Sequence, residues 1–160
     1  MPLHRLRRAF EPLIRLLLHF YWRFSRAVTL SARAMVIDGA GRIFLIQHSY
    51  VAGWHMPGGG VEIGETFLTA LSRQLAEEGN IVMTAPPVLH GIFFNSRASR
   101  RDHVALYIVR DFRHTGAPRP GYEIVAYGFF AHDALPEGTS RATHARVAEV
   151  FGDGPVSEVW

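Results

Sequence analysis

At 160 residues, with 48% hydrophobic and 19% charged, the chain is long enough for one domain with a sizeable core and too apolar to be disordered. It has no Cys, and all 17 of its basic residues are Arg, which excludes disulfide frameworks, thiolate chemistry and lysine Schiff bases. The net charge of +3 is unevenly spread: residues 1–34 hold seven Arg against Glu11 alone, leaving the remainder net acidic.

Residues 9–26 read as a helix, with Pro12 suited to its first turn. Arg8, Arg15, His19, Arg23 and Arg26 recur near helical spacing, and apolar and aromatic residues fill the rest. Arg15 and Arg23 break every apolar run well short of the ~20 residues that a membrane span needs. The basic start and Ala32-Arg33-Ala34 have some look of a signal peptide, but cleavage there would cut into the first strand. Two readings stay open. One is a cationic amphipathic helix on a membrane surface. The other is an extra helix packed on the domain or on a second subunit, as in a homodimer. The chain therefore divides into a basic amphipathic segment, 1–28, and a domain, 29–160. The expected location is the cytoplasm, with the membrane periphery as the alternative.

Thr29 to Ile37 reads as a strand, Asp38-Gly39-Ala40-Gly41 as a turn and Ile43 to Ile46 as its return, a hairpin. His48, Tyr50, Trp54 and His55 follow, with rings that could stack on a base or sugar; ordinary packing is the competing explanation. Neither His has a partner at transition-metal spacing. Gly58-Gly59-Gly60 permits unusual backbone angles and close approach of a ligand. A helix from about Thr66 to Glu78 comes next, with Phe67, Leu68, Leu71 and Leu75 as its apolar stripe. Gln74, Glu77 and Glu78 lie on the adjoining arc. Glu78 falls almost on the apolar stripe, where a carboxylate is costly unless a cation meets it. Hard oxygen donors of this kind suit Mg²⁺ or Mn²⁺, and Mg²⁺ favours phosphate-bearing substrates. A solvated acidic face is the plainer alternative for Glu77 and Glu78 taken alone.

Strands are expected at 81–83, at 88–95, at 103–112 and from Glu123 to Phe130. Arg97, Arg100 and Arg101 lie in a basic loop and could hold a diphosphate, with a solvated loop as the alternative. Outside the N-terminal segment basic residues are few, so nucleic acid is a weak candidate partner. Thr139 to Phe151 reads as a closing helix, with Ala142, Ala145, Val147, Ala148 and Val150 partly buried. The segment from Gly152 to Trp160 reads as an irregular docked end.

The stretch from Gly59 to Ile81 resembles the Nudix box, G-x5-E-x7-R-E-U-x-E-E-x-G-U with U aliphatic. Gly59, Glu65, Arg73, Leu75, Glu77, Glu78 and Ile81 fit in register. Met56-Pro57-Gly58-Gly59, Gly128-Phe129-Phe130 and Asp133-Ala134-Leu135-Pro136 are similar to flanking features of that family. The resemblance implies an α/β/α sandwich around a mixed sheet. It also implies Mg²⁺-dependent hydrolysis, with Mn²⁺ able to substitute, of a pyrophosphate bond in a nucleoside diphosphate linked to another group. It implies Gly58, Gly59, Glu65, Glu77 and Glu78 as metal contacts, Glu65 being a positioning residue or an outer contact. Arg73 is implied to hold residue 74. Glu123 becomes a candidate for the late acid that completes the metal site or supplies the base. His48, Tyr50, Arg97 and Arg101 are the expected substrate contacts.

Two positions depart from the box. Gly79-Asn80 stands for x-Gly, moving the helix-ending Gly one place earlier, where Asn also tolerates the left-handed turn. Gln74 stands for a Glu that the family uses as a metal ligand and, in some members, as the base. Gln has nearly the same shape but cannot accept the proton. Three explanations stand: an engineered Glu→Gln change, a base elsewhere in the chain, or a catalytically silent nucleotide or RNA binding module.

Overall fold

Nine strands lie among the described residues, the longer ones on alternating or continuous apolar runs: Thr29–Val36 (β1), Arg42–His48 (β2), Trp54–His55 (β3), Gly58–Gly60 (β4), Ile81–Met83 (β5), Val88–Phe94 (β6), Asp102–Val109 (β7), Phe112–His114 (β8) and Ile124–Ala131 (β9). Two long helices are Phe67–Gly79 (α1) and Arg141–Phe151 (α2). The computed structural model describes residues 14–22, 25, 27–116, 123–152 and 154–160. Of the segment read as a helix over 9–26, residues 14–22 and 25 are helical; the rest of that reading lies outside the described residues, as do residues 117–122 of the loop before Glu123.

The strands form sheets in the orders β4-β1-β7-β6, β3-β2-β9 and β5-β8. β1 and β7 run parallel from Thr29 opposite Asp102 to Val36 opposite Val109, while β4 and β6 are antiparallel to their neighbours, so the sheet is mixed. The expected β1–β2 hairpin is corrected here. Its turn forms, with Gly41 at φ 75° and the Asp38 carboxylate accepting from the Ala40 and Arg42 amides. Beyond one bridge, Ile37 to Ile43, the strands part into different sheets. β1 instead pairs along its whole length with β7, and β2 with β9. Strand twist lets neighbours diverge when each has a longer partner elsewhere.

Side chains alternate across β1 and feed two cores. Ala32, Ala34 and Val36 pack with Phe44, Ile46, Leu71, Leu75 and Ile81 beneath α1. Met35 and Ile37 pack with Ile43, Leu45, Phe93, Leu106 and Val147 beneath α2. Helices thus cover both faces, the α/β/α arrangement expected.

α1 starts at its cap: the Thr66 hydroxyl accepts from the Thr69 amide. Leu71 and Leu75 are buried as expected, but Leu68 is exposed and Ala70 takes its place against the core. The helix ends at Asn80, which sits in the left-handed region at φ 50° and ψ 39°. Gly79 is still helical. It is needed for space, because a Cβ there would lie 2.9 Å from the Phe44 ring.

α2 begins at Arg141, with the Ser140 hydroxyl capping the Thr143 amide. Its expected inward face is also corrected: Ala145 and Ala148 are exposed, whereas Thr143 and Arg146 are buried. Arg146 lies over the Phe93 ring at 4.1 Å, donates to the Val159 carbonyl and pairs with Glu149 at 2.7 Å. It clamps the C-terminal segment, which adds to the edge of β6 through Phe94 amide to Glu158 carbonyl and Trp160 amide to Phe94 carbonyl bonds. Trp160 packs edge-on against Phe93 at 5.6 Å.

Candidate functional site

The last turn of α1, the glycine strand β4, the end of β2 and the start of β9 meet at Glu78. Gly58 lies opposite Arg33 of β1 with φ 138°; a Cβ there would come within 2.2 Å of the Ala32 carbonyl, so only glycine fits. That close approach aims the Gly58 amide at Glu78 Oε2, to which it donates at 2.7 Å. Glu78 Oε1 stands 3.6 Å from His48 Nε2. Glu78 is buried, and burial pushes its carboxyl up to about 7. The Gly58 amide and Arg33 oppose that rise, while the like charges of Glu123 and Glu77 add to it.

Glu123 is exposed, and its carbonyl accepts from the Ser49 amide at 2.8 Å, which seats it at the end of β2. Its charge is felt by Glu78, His48 and Tyr50. β2–β9 pairing, His48 opposite Ile124, thus brings a carboxylate 45 positions beyond Glu78 beside the same group. His48 is buried beside Glu78, and its ring meets that of Tyr50 in a tilted contact with centroids 5.0 Å apart. Its proton affinity is lowered by burial, then by Arg33 and His55. His48 therefore faces the acidic end of α1, while Tyr50 stands exposed beside it.

Arg73 occupies the other side of the helix end. Its Nε and Nη2 grip Glu65 Oε1 and Oε2, both at 2.9 Å, and Nη2 reaches the Gly60 carbonyl at 3.3 Å. Glu77 Oε2 approaches Arg73 Nη1 at 3.6 Å. The paired hydrogen bonds from Arg73, helped by the Glu62 amide, pull the Glu65 carboxyl down to about 2. Arg73 thus locks the glycine loop to α1 through Glu65; its influence on residue 74 runs through the helix they share. Gln74 lies directly on the Gly59 backbone, its side chain 2.6 Å from where a Gly59 Cβ would be.

The expected metal contacts are only partly convergent. Among the described residues, no three of His, Cys, Asp or Glu come together closely enough to hold an ion. Glu65 is taken by Arg73, Glu77 leans toward the same guanidinium with a side chain 59% exposed, and Glu78 bonds Gly58. Carboxylates without a cation between them repel; Arg73 compensates Glu65 and Glu77, and Arg33 acts on Glu78. The donors still fit a hard cation. Glu78 is a buried carboxylate whose ionised form lacks full compensation, and Glu77 and Glu123 act on it as neighbouring like charges.

Arg97 is removed from this group. It lines a cavity of about 380 Å³ with Arg141, Arg146, Glu149 and Trp160, on the α2 side of the molecule. The loop carrying it leaves β6 near the docked C-terminal segment, which draws it away from α1. Arg101 is exposed in the same loop, its carbonyl accepting from the Thr29 amide. Arg33 was missed by sequence reasoning. Its Nη1 donates to the Met56 carbonyl at 2.8 Å, fixing the approach to Gly58, and its charge acts on Glu78 and His48. The available signal was a lone Arg inside the apolar strand Ala32-Arg33-Ala34-Met35-Val36.

Comparison with known proteins gives a consistent result. The model of the NUDIX domain matches residues 28–151. An RNA pyrophosphohydrolase from Dinoroseobacter shibae is 44% identical over 54 residues, a segment covering 32% of this chain and 34% of that protein. The chain thus spans about a third of the length of that relative. The MutT NUDIX hydrolase from Burkholderia pseudomallei superposes with a TM-score of 0.66 at 25% identity, covering 78% of this chain and 98% of that one. An ADP-ribose pyrophosphatase from Streptococcus suis shares the fold with a TM-score of 0.59 at 22% identity, covering 84% and 96% of the two chains.

Proposed function

The chain belongs to the Nudix family of pyrophosphohydrolases, and from that premise we propose that it hydrolyses a pyrophosphate bond in a nucleoside diphosphate linked to another group, with Mg²⁺ or Mn²⁺ as cofactor. The observation that carries this reading is the buried Glu78 carboxylate, bonded to the Gly58 amide, 3.6 Å from His48 and subject to the like charges of Glu123 and Glu77. Glu77, Glu78 and a carbonyl of Gly58 or Gly59 would hold the cation. When bound, it neutralises diphosphate charge and lowers the pKa of water.

The chain's own residues divide the remaining work. Gln74 can orient a water or phosphate oxygen by hydrogen bonding, but it takes no proton. Glu123 is exposed at the rim and serves as the base that accepts the water's proton. Arg73 keeps the glycine loop and α1 in fixed relation, so the oxygens that face the diphosphate need no reorganisation. Tyr50 offers an exposed ring beside the acids on which a base can stack. Of the two arginines expected to meet a phosphate, Arg97 lies on the α2 side, which leaves Arg101 as the candidate.

A nucleotide-release panel with Mg²⁺ and Mn²⁺ tests this on the chain and on Gln74→Glu. The panel covers nucleoside triphosphates, nucleotide sugars, dinucleotide polyphosphates and RNA with a 5′ polyphosphate, the last because of the relative's printed name. Hydrolysis by the chain as it stands, lost in Glu123→Gln by about 10²-fold or more, is the expected result. Hydrolysis only after Gln74→Glu returns the base to position 74. No hydrolysis by either protein favours the second reading, a Nudix-fold nucleotide or RNA binding module, for which Gln74 is the favouring observation.

A further inference from the structure

Residues 14–22 lie outside the stretch matched by the family model and form a helix in which every residue is exposed. Leu16 and Phe20 are each 66% exposed, and Leu17 and Tyr21 are close behind. Leu16, Leu17 and Tyr21 are thus exposed to solvent and not packed into the domain core. So large an apolar surface in water calls for an occupant.

The sequence pattern specifies which one. At roughly 100° per residue, Arg15 and His19 fall within about 40° of arc on this helix, and the apolar and aromatic residues from Ile14 to Trp22 occupy ~240° of the rest. A two-stranded coiled coil uses a narrow stripe repeating every 3.5 residues. An apolar arc this wide would leave most of its residues wet in such a dimer. A lipid surface accepts a wide apolar face, takes Trp and Tyr at headgroup depth, and attracts arginines when it is anionic. The seven Arg against one acid in residues 1–34, beside a net acidic remainder, complement such a surface. No helix among the described residues is long and apolar enough to cross a membrane. We propose that the helix of residues 14–22 docks this protein on an anionic lipid surface, lying in the headgroup plane with the Nudix domain held beside the membrane.

The experiment is co-sedimentation of the full chain with vesicles of phosphatidylcholine alone or with one third phosphatidylglycerol. Pelleting with the anionic vesicles, suppressed by 0.5 M salt and absent with neutral ones, is the expected result. Arg15→Gln combined with Arg23→Gln weakens binding by about fivefold for each arginine. Leu17→Glu abolishes it, while thermal unfolding of the domain is unchanged because Leu17 is exposed. A chain that stays in the supernatant overturns the proposal, as does equal pelleting with both vesicle types. A concentration-dependent dimer that Leu17→Glu dissolves assigns the face to a second copy and likewise overturns it. None of these outcomes depends on whether the chain hydrolyses a nucleotide.

Discussion

Glu78 is a carboxylic acid whose environment disagrees with its charge. Burial raises its pKa from 4.5 to about 7 in the folded chain. Between those values the folded protein holds a proton that the unfolded chain releases, so stability falls as pH rises through the window. In metal-free protein this group alone removes about 2.5 kcal/mol between pH 5 and pH 8. Urea unfolding across that range measures it, and Glu78→Gln should flatten the dependence. Mg²⁺ or Mn²⁺ added at pH 8 should restore stability to the parent but not to the variant; an identical response of both would remove Glu78 from the cation site. Glu65 is the opposite case. With its carboxyl pulled down to about 2 by Arg73, the stability it contributes is present above pH 4.5 and is lost as pH falls toward 2. The two acids sit in one motif and were indistinguishable by residue type; the partners of each decide which way it shifts.

At the scale of elements, the glycine strand and α1 act as one piece. Gly58→Ala would put a methyl group into the Ala32 carbonyl at a positive φ, costing about 3 kcal/mol or more and disturbing the amide that holds Glu78. Chemical denaturation measures the first effect and the shape of the pH dependence the second. The end of α1 has a smaller tolerance: Asn80→Ala should cost about 1 kcal/mol, because alanine resists the left-handed conformation that Asn80 adopts. The same substitution at Gly79 should cost more than helix propensity predicts, since its methyl group would meet Phe44 and Ile81. Most element boundaries were legible in the sequence to within a few residues. Thr66 and Ser140 are caps whose hydroxyls mark the helix starts, and Pro86-Pro87 separates β5 from β6. Which helical residues face inward was less legible. Leu68 is exposed and Arg146 buried because burial depends on what crosses each helix, and Arg146 meets aromatic rings, Glu149 and a carbonyl.

Across the whole molecule, the edge strand β6 is closed by the C-terminal segment, and Arg146 ties that segment to α2. Arg146→Ala should cost about 3 kcal/mol, because it leaves Glu149 buried with one partner fewer and removes packing on Phe93. Hydrogen exchange at the Phe94 and Trp160 amides should rise in the variant; unchanged protection would show that the segment holds without the clamp. By itself the sequence determined the glycine loop, the helix after it and the longer strands, because turn residues and periodicity act over a few positions; the short strands β3, β4 and β8, and the break after Val109 within the strand expected over 103–112, came from pairing with distant partners. It also showed the charge imbalance of the N-terminal segment, which is a matter of composition. Only the tertiary structure decided that β1 and β2 part company, that Arg97 lies on the α2 side, and that Arg33, His48, Gly58, Glu78 and Glu123 act on one another. Those residues come from five separate stretches of chain. Their shared electrostatics arise from strand pairing and burial across long sequence distances, which no local pattern encodes.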